Sequence, residues 1–386
     1  MRLSQVWKQA TSASTRVTFD KKKHFGELAR TRVKLSGDQP LDVCIKGSTE
    51  VRFGTRTANL LREHVSRFQK LEIRAPDHET AESLVSSIGE GKPTPLLERL
   101  EIHIEKDPAK WPESSYSSEF EEDPAESEFS ALPKSFFPCP RLTHLTIPGK
   151  PLPARSTPHF KSITSLTINA HPFYYDMDID GVLDILKSTK KLLHFTYLGQ
   201  DVFNYYALKS RIISMPHLIS ADVSVPGCGL EILRKLDAPL LTSVRFDGWR
   251  KAEFTEEWVD TLTKPISLAL RLLSKRSPNL THLELCSTVM HKPFNDYQWL
   301  MSDTAFPRLE VLRLYAPDIN DITLRLGAGR MRSLKRFELL ACQGVSVTGI
   351  LEFAKGRKEG FELLIDACPG VKPEDLAELT KFVKVL

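Results

Sequence analysis

The aliphatic residues of this chain return in one short arrangement: an aliphatic residue, two spacers, a second aliphatic residue, one spacer and a third. It reads CPRLTHLTI from Cys139, MPHLISADV from Met215, APLLTSVRF from Ala238, SPNLTHLEL from Ser277 and FPRLEVLRL from Phe306. Looser copies begin at Thr94 (TPLLERLEI), His159 (HFKSITSLTI), Thr189 (TKKLLHFTY) and Met331 (MRSLKRFEL). The second half of each copy alternates apolar and polar positions, the period of a half-buried strand. A small or Pro-led opening places a turn in front of that strand.

Between the copies the apolar spacing changes to that of a helix. DGVLDILKST follows a capping Asp at Asp180, GLEILRKL begins at Gly229 and SVTGILEFAKGR at Ser346. In FTEEWVDTLTKPISLALRLLSKR, Trp258, Leu262, Ile266, Ala269, Leu270 and Leu273 recur at helical spacing, and Pro265 opens a new turn or a kink. Residues 28–73 are less regular. There VKL (33–35) and LDVCI (41–45) are strand-like, while TANLLREHVSRF (57–68) is a helix leading into QKLEIRA. A further helix is predicted at HETAESLVSSI (78–88).

The first aliphatic residues of successive phrases are Leu97, Leu142, Ile163, Leu192, Leu218, Leu241, Leu280, Leu309 and Leu334. Most steps between them match the roughly 20–29-residue period of leucine-rich repeats, whose core is L-x-x-L-x-L. The fold class predicted is therefore α/β, a leucine-rich-repeat solenoid (horseshoe) with a parallel concave sheet and convex helices. The Asn or Cys that normally follows the third aliphatic residue is missing except at Cys342, so the coils are expected to be irregular. The solenoid spans residues 21–386, with FELLIDA as its last strand and a helical cap over 373–386, where Pro373 stands at the first helical position. One long step holds an insertion over 111–135, rich in Ser, Glu and Pro, which reads as disordered.

Composition narrows the function. Hydrophobic residues make up 41% and charged residues 26%, with a net charge of +4. No run of 18 apolar residues exists, so no membrane partner is expected. The opening MRLSQVWKQATSASTRVTFD has no secretory h-region. Six cysteines without a C-x-x-C pair point to a reduced chain, cytoplasmic or nuclear. The acids Glu113, Glu119, Glu121, Glu122, Asp123, Glu126 and Glu128 form an uninterrupted acidic stretch that leaves the remainder more basic.

Candidate binding residues lie on the strand positions that point away from the core. They are His144, Thr146, Thr167, His194, Thr196, Asp222, Arg245, His282, Glu284, Arg313, Arg336 and Glu338. From Asp222 onward the sign alternates, so lateral ion pairs are expected between neighbouring strands. The histidines share one slot in different coils, but His144 and His194 stand two strands apart, roughly 10 Å, too far for a shared zinc. DMDIDGVLDILK (176–187) has acids at calcium-loop positions 1, 3 and 5 and Gly181 at position 6, yet Lys187 stands where the bidentate Glu belongs. No nucleophile elbow or phosphate-binding Gly loop is present, so no cofactor, no metal and no enzyme activity are expected. Alternating charge also argues against nucleic acid.

The N-terminal residues carry a family resemblance. LSQVWKQATSASTRVTFD resembles the end of an F-box and its linker, and LARTRVKLSGDQPLDVCI with LLREHVSRFQKLEI resembles the passages that follow it in the large fungal F-box group. Leu3, Val6, Trp7 and Ala10 match the last helix of the box, so residues 1–20 are read as its remnant and linker. The resemblance implies a substrate receptor of a cullin-based (SCF) ubiquitin ligase, with a Skp-type adaptor on the box and a protein substrate on the concave repeat face. A single helix of the box buries little apolar surface, so adaptor binding is expected to be weak. The alternative is a free-standing leucine-rich-repeat scaffold with no ligase role.

Overall fold

The computed structural model describes residues 15–20, 25–46, 51–105, 129–149, 151–154, 157–169, 179–199, 212–224, 228–248, 256–288, 290, 292–316, 318–357, 360–380 and 384–385. The chain divides into two compact units, residues 1–169 and 170–386.

In the first unit, six strands pair in chain order and all in parallel: β1 (Thr15–Asp20), β2 (Leu41–Lys46), β3 (Phe68–Ala75), β4 (Arg99–Ile104), β5 (His144–Pro148) and β6 (Ser165–Asn169). Alternate residues of each strand are apolar and fully buried: Val17 and Phe19, Val43 and Ile45, Leu71 and Ile73, Leu100 and Ile102, Leu145 and Ile147, Leu166 and Ile168. Three helices cross between the early strands: α1 (Phe25–Leu35), α2 (Val51–Arg62) and α3 (His78–Gly89). Within α3, Ala81, Leu84, Val85 and Ile88 turn inward at i, i+3, i+4 and i+7. The Asp77 side chain accepts from the Thr80 backbone N–H at 2.7 Å, satisfying one of the orphan donors of its first turn. Asp77→Ala is expected to cost about 1 kcal/mol, read as a shift of the denaturant midpoint.

Three expectations need correction here. VKL (33–35) is the end of α1, because Ala29 and Val33 are buried one helical turn apart while Thr31 between them is exposed, where a strand would bury all three. The helix expected over 57–68 runs from Val51 to Arg62; a 3₁₀ turn (Val65–Arg67) then ends it, and Phe68 already belongs to β3. Of the insertion, residues 111–128 lie outside the described residues, but 129–135 are packed, with Phe129 and Leu132 buried. One Glu82 carboxylate oxygen accepts from Ser130 N (3.0 Å), Ser130 Oγ (2.5 Å) and Ala131 N (3.2 Å), which anchors the returning chain to α3.

In the second unit, α4 (Ile179–Ser188) precedes β7 (His194–Leu198), β8 (Ile213–Ser214), β9 (Ser220–Ser224), α5 (Cys228–Lys235), β10 (Leu236–Asp237) and β11 (Ser243–Asp247). Then follow α6 (Glu256–Arg276), β12 (His282–Cys286), α7 (Pro293–Leu300), β13 (Val311–Tyr315), α8 (Asp321–Leu326) and β14 (Arg336–Leu340). The chain closes with α9 (Val347–Ala354), β15 (Glu362–Asp366), α10 (Pro373–Leu379) and β16 (Lys384–Val385). The parallel order is β7-β9-β11-β12-β13-β14-β15-β16, while β8 and β10 pair separately. Successive helices pack on one another, α5 on α6, α7 on α8 and α8 on α9. Helix α6 continues through Pro265 without a break, and Ile266, Ala269, Leu270 and Leu273 are buried as their spacing predicts; the side chains of Trp258 and Leu262 lie outside the described residues.

The turns leaving the late strands repeat their chemistry. ACQGV (341–345) and ACPGV (367–371) each begin with an alanine of positive φ, Ala341 at 50° and Ala367 at 53°. Cys342 and Cys368 then point inward, and the Cys342 thiol donates to Leu314 and Leu340 carbonyls at 3.6 and 3.4 Å. The thiols thus serve strand-end carbonyls, Cys368 likewise donating toward Leu339 and Asp366 O at 3.6 and 3.5 Å. A Cβ on Gly370 would stand 2.3 Å from the Val345 carbonyl oxygen, so the turn closes only with glycine. Asp321, at the start of α8, accepts from Ser346 N (2.7 Å) and Ser346 Oγ (2.6 Å), which ties one coil to the next. A Cβ on Gly349 would meet the Asp321 carboxylate at 2.3 Å. Gly349→Ala is therefore expected to displace that clasp and cost about 1–3 kcal/mol, checked by comparing its midpoint with that of Gly349→Ala/Asp321→Ala.

The cap is the fourth correction. Helix α10 stops at Leu379, and Lys384–Val385 pair with β15 as β16 in place of a helix running to 386, so FELLIDA is not the last strand. Lys384 pairs with Glu362 and Val385 with Leu363, so β15 supplies the backbone partners of this short strand.

Candidate partner-binding face

Because strand residues alternate, the same register that buries the aliphatic residues lines up the polar ones on the opposite face. In the second unit the pairing Asp222↔Arg245↔Glu284↔Arg313↔Glu338 runs straight across β9, β11, β12, β13 and β14. The charges meet as the sequence anticipates. Arg245 lies 3.6 Å from Asp222 and 3.3 Å from Glu284, and Arg313 lies 3.3 Å from Glu284 and bonds Glu338. Arg336 reaches Glu338 at 2.5 Å and Glu362 at 3.9 Å.

These pairs are not equivalent. Arg245 and Arg313 are more than a third exposed, so each of their pairs contributes about 0–1 kcal/mol. The Arg245 Nε sits close to Glu284 without a hydrogen aligned on an acceptor, and Asp222 Oδ1 is buried with no hydrogen-bond partner among the described residues. Burial accordingly raises the Asp222 carboxyl pKa, with Arg245 pulling it back down. Glu338 differs in being 2% exposed, covered by the two guanidiniums that neutralise it. Glu338→Ala is expected to cost about 1–2 kcal/mol, limited because both arginines then regain water; a loss above 4 kcal/mol by denaturant titration would show that they stay buried and unpaired.

The predicted histidines and hydroxyls also face outward. His144 Nδ1 lies 2.9 Å from Thr143 Oγ1, His194 Nδ1 2.8 Å from Ser220 Oγ and His282 Nδ1 2.8 Å from Thr281 Oγ1. Each ring is thus matched to its own hydroxyl. His194 and His282 stand three strand steps apart, roughly 14 Å, which leaves no shared ion between them. Thr146, Thr167 and Thr196 are half-buried in the middle row. Leu3, Val6, Trp7 and Ala10 lie outside the described residues.

The first unit carries a second charge cluster that the sequence reading passed over. KLEIR (70–74) on β3 and RLEIH (99–103) on β4 put a cation, a glutamate and a cation on the outward positions of two adjacent strands. Glu72 and Glu101 are direct neighbours, and cations surround them. Lys70 Nζ lies 3.7 Å from Glu72 and 3.1 Å from Glu101, Arg74 Nε lies 2.6 Å from Glu72, Arg99 Nη1 lies 3.5 Å from Glu101, and His103 Nε2 lies 3.4 Å from Glu101. The His103 hydrogen bond, followed by Lys70, holds the Glu101 carboxyl down at about 2 against the opposing effect of burial. Glu72, Glu101 and His103 bring three ligand atoms within 4.8 Å of one another, a possible metal donor set. Lys70, Arg74 and Arg99 already compensate those carboxylates, so a divalent cation would face three positive charges. The repeated pentapeptide pattern was the available signal.

Beside this cluster, at the starts of β3, β4 and β5, an open cleft of roughly 560 Å³ is lined by Asp42, Lys70, Glu98, Arg99, Arg141 and His144. In the second unit Cys286 donates to Glu284 at 3.0 Å, and burial together with that carboxylate pushes its thiol up to about 12. It is therefore no nucleophile at neutral pH. Away from the face, the first unit buries His159, whose Nε2 lies 2.9 Å from the Ser135 carbonyl oxygen; burial lowers its pKa to about 4. No helix among the described residues is long and apolar enough to cross a membrane.

No protein-family model matches the chain, and no curated protein matches it. Among the solved structures that match is a Bacteroides fragilis protein determined as a structural-genomics target, 15% identical, with a TM-score of 0.32 over 60% of this chain and 67% of that one.

Proposed function

We propose that the protein is a non-catalytic interaction module, a leucine-rich-repeat horseshoe that takes a protein substrate on its concave sheet face as an F-box-type receptor of a cullin-based ubiquitin ligase. The observation that carries the binding reading is the face itself. Strand after strand presents a polar, ordered row where a sheet in a purely structural role needs only solvent-compatible residues. Its ionisable groups support a binding rather than a catalytic use. Glu101 is held near 2 and Cys286 near 12, far from the neutral values that acid–base or nucleophilic chemistry requires. The ligase part rests on the sequence resemblance of Leu3, Val6, Trp7 and Ala10 to the last helix of the box. Such a receptor works in the cytoplasm or nucleus.

Purified protein mixed with a purified Skp-type adaptor is expected to give a weak complex by light scattering, abolished by Trp7→Ala. Absence of a complex leaves the scaffold without a ligase role. The face is tested separately with Thr196→Arg/His282→Glu, which replaces no residue of the charge ladder. Proteins that co-purify with the wild type are expected to be lost; an unchanged set would sink the face as the partner site.

A further inference from the structure

We infer that the cleft at the starts of β3, β4 and β5 is a site for an acidic peptide segment, clasped through its carboxylates by Lys70, Arg99 and Arg141. The inference rests on reading this sheet face as the partner surface, and it names what part of that surface recognises. The register supplies the first argument. Asp42 stands opposite Lys70 on one side, but on the other Lys70 pairs with Arg99, and Arg99 pairs with His144, so three basic side chains stand directly abreast on adjacent parallel strands about 4.8 Å apart. Like charges placed directly opposite one another destabilise a sheet. The second unit shows the alternative, a row in which the sign changes at every strand from Asp222 to Glu338. A local rule broken in one row and kept in another marks the broken row as the one with a use outside folding.

The positive charges of the cleft are only partly neutralised from within. Lys70 leans away toward Glu101 at 3.1 Å, while Arg99 reaches Glu101 only at 3.5 Å and is 46% exposed. Arg141 is exposed on the cleft wall, with no ion pair or hydrogen bond among the described residues. Of the two acids present, Glu98 Oε2 lies 3.2 Å from Gln69 Nε2, so part of its capacity is taken up by a neutral amide. The planar forks of Arg99 and Arg141 each match a carboxylate with two donors. A cleft of this volume takes a few side chains of a peptide, and its openness to solvent suits a segment lying across the strand ends.

The test uses the full chain and three fluorescent octapeptides: glutamate-rich, lysine-rich, and a neutral one bearing a single phosphoserine. The glutamate-rich peptide is expected to bind, several-fold more weakly at 300 than at 50 mM salt, and the lysine-rich one not at all. Arg99→Glu/Arg141→Glu should weaken binding at least tenfold, and Arg141→Ser alone several-fold. Arg332→Glu, exposed in the other unit, should leave it unchanged. Equal binding by the cleft variants, or tighter binding of the phosphoserine peptide, would overturn the assignment. The arginine variants alter exposed side chains, and unchanged melting curves confirm their fold. Because the Thr196 and His282 variants probe other residues, failure of the cleft and failure of the partner face are read apart.

Discussion

Arg357→Ala is expected to lower the stability of the second unit by about 3 kcal/mol, a large fraction of what holds a domain folded. The guanidinium follows α9 and fills the turn that follows α8. Its Nη1 donates to the Arg330 and Met331 carbonyls at 2.6 and 3.2 Å, its Nη2 to Gly327 O at 3.0 Å and its Nε to Phe353 O at 3.3 Å. It also lies 4.1 Å from the Phe353 ring centroid and 5.4 Å from that of Phe361. Burial depresses its pKa to about 10, so it keeps its charge at neutral pH although no carboxylate bonds it. Alanine removes four hydrogen bonds and uncovers two rings, while relieving the cost of a half-buried charge; Gly327 O and Met331 O keep the Arg330 and Leu334 N–H groups, but at about 1 kcal/mol for each net bond and each ring contact the loss wins. Arg357→Lys should recover less than half, because one ammonium cannot span four acceptors. Guanidinium titration decides it, and a loss under 1 kcal/mol would mean the turn closes without the arginine.

Acid should weaken the first unit through His159. Its ring is 1% exposed, its Nε2–H donates to Ser135 O, and its Nδ1 is buried with no partner among the described residues. Protonation would add a hydrogen to Nδ1 with nothing to receive it. With a folded pKa of about 4 and an unfolded value near 6.5, the unfolded chain binds more protons between those values. The stabilisation is therefore complete above pH 6.5 and is lost as pH falls toward 4, by about 3 kcal/mol. Denaturation of wild type and His159→Asn at pH 7 and pH 4.5 isolates the effect from the carboxylates. The variant should be less stable at pH 7 and should close most of that gap at pH 4.5; parallel pH profiles would show that the ring stays neutral for another reason.

Much of the strand architecture was legible because L-x-x-L-x-L couples two facts, the inward aliphatic pair and the turn ahead of it. Leu145 with Ile147, Leu283 with Leu285 and Leu312 with Leu314 all fall inward from that pattern alone. The alternating ladder from Asp222 to Glu338 followed from the same register. Errors gathered where two periods compete over a few residues. VKL carries β-branched and aliphatic residues but completes the helical spacing begun at Ala29, and the two residues Lys384 and Val385 are too short a strand to register beside the helix signal of PEDLAEL. The Glu72–Glu101 cluster was missed for another reason. Its strands lie ahead of the most regular phrases, so their outward positions were never aligned with the rest, although KLEIR and RLEIH spell out the match. The cleft could not be read from sequence at all, since Arg141 comes from the turn before β5 and meets Arg99 only in space.

The brevity of β16 bears on behaviour at high concentration. An open sheet edge is a template for a neighbouring molecule, and repeat proteins with unguarded ends are prone to stack head to tail. Among the described residues Lys384 and Val385 cover β15, and Lys384 Nζ lies 2.6 Å from Glu362, placing a bonded charge on that edge row. A bonded charge on an edge row disfavours pairing with another chain, and Lys384→Ala is expected to raise turbidity on storage at concentrations where the unsubstituted protein stays clear.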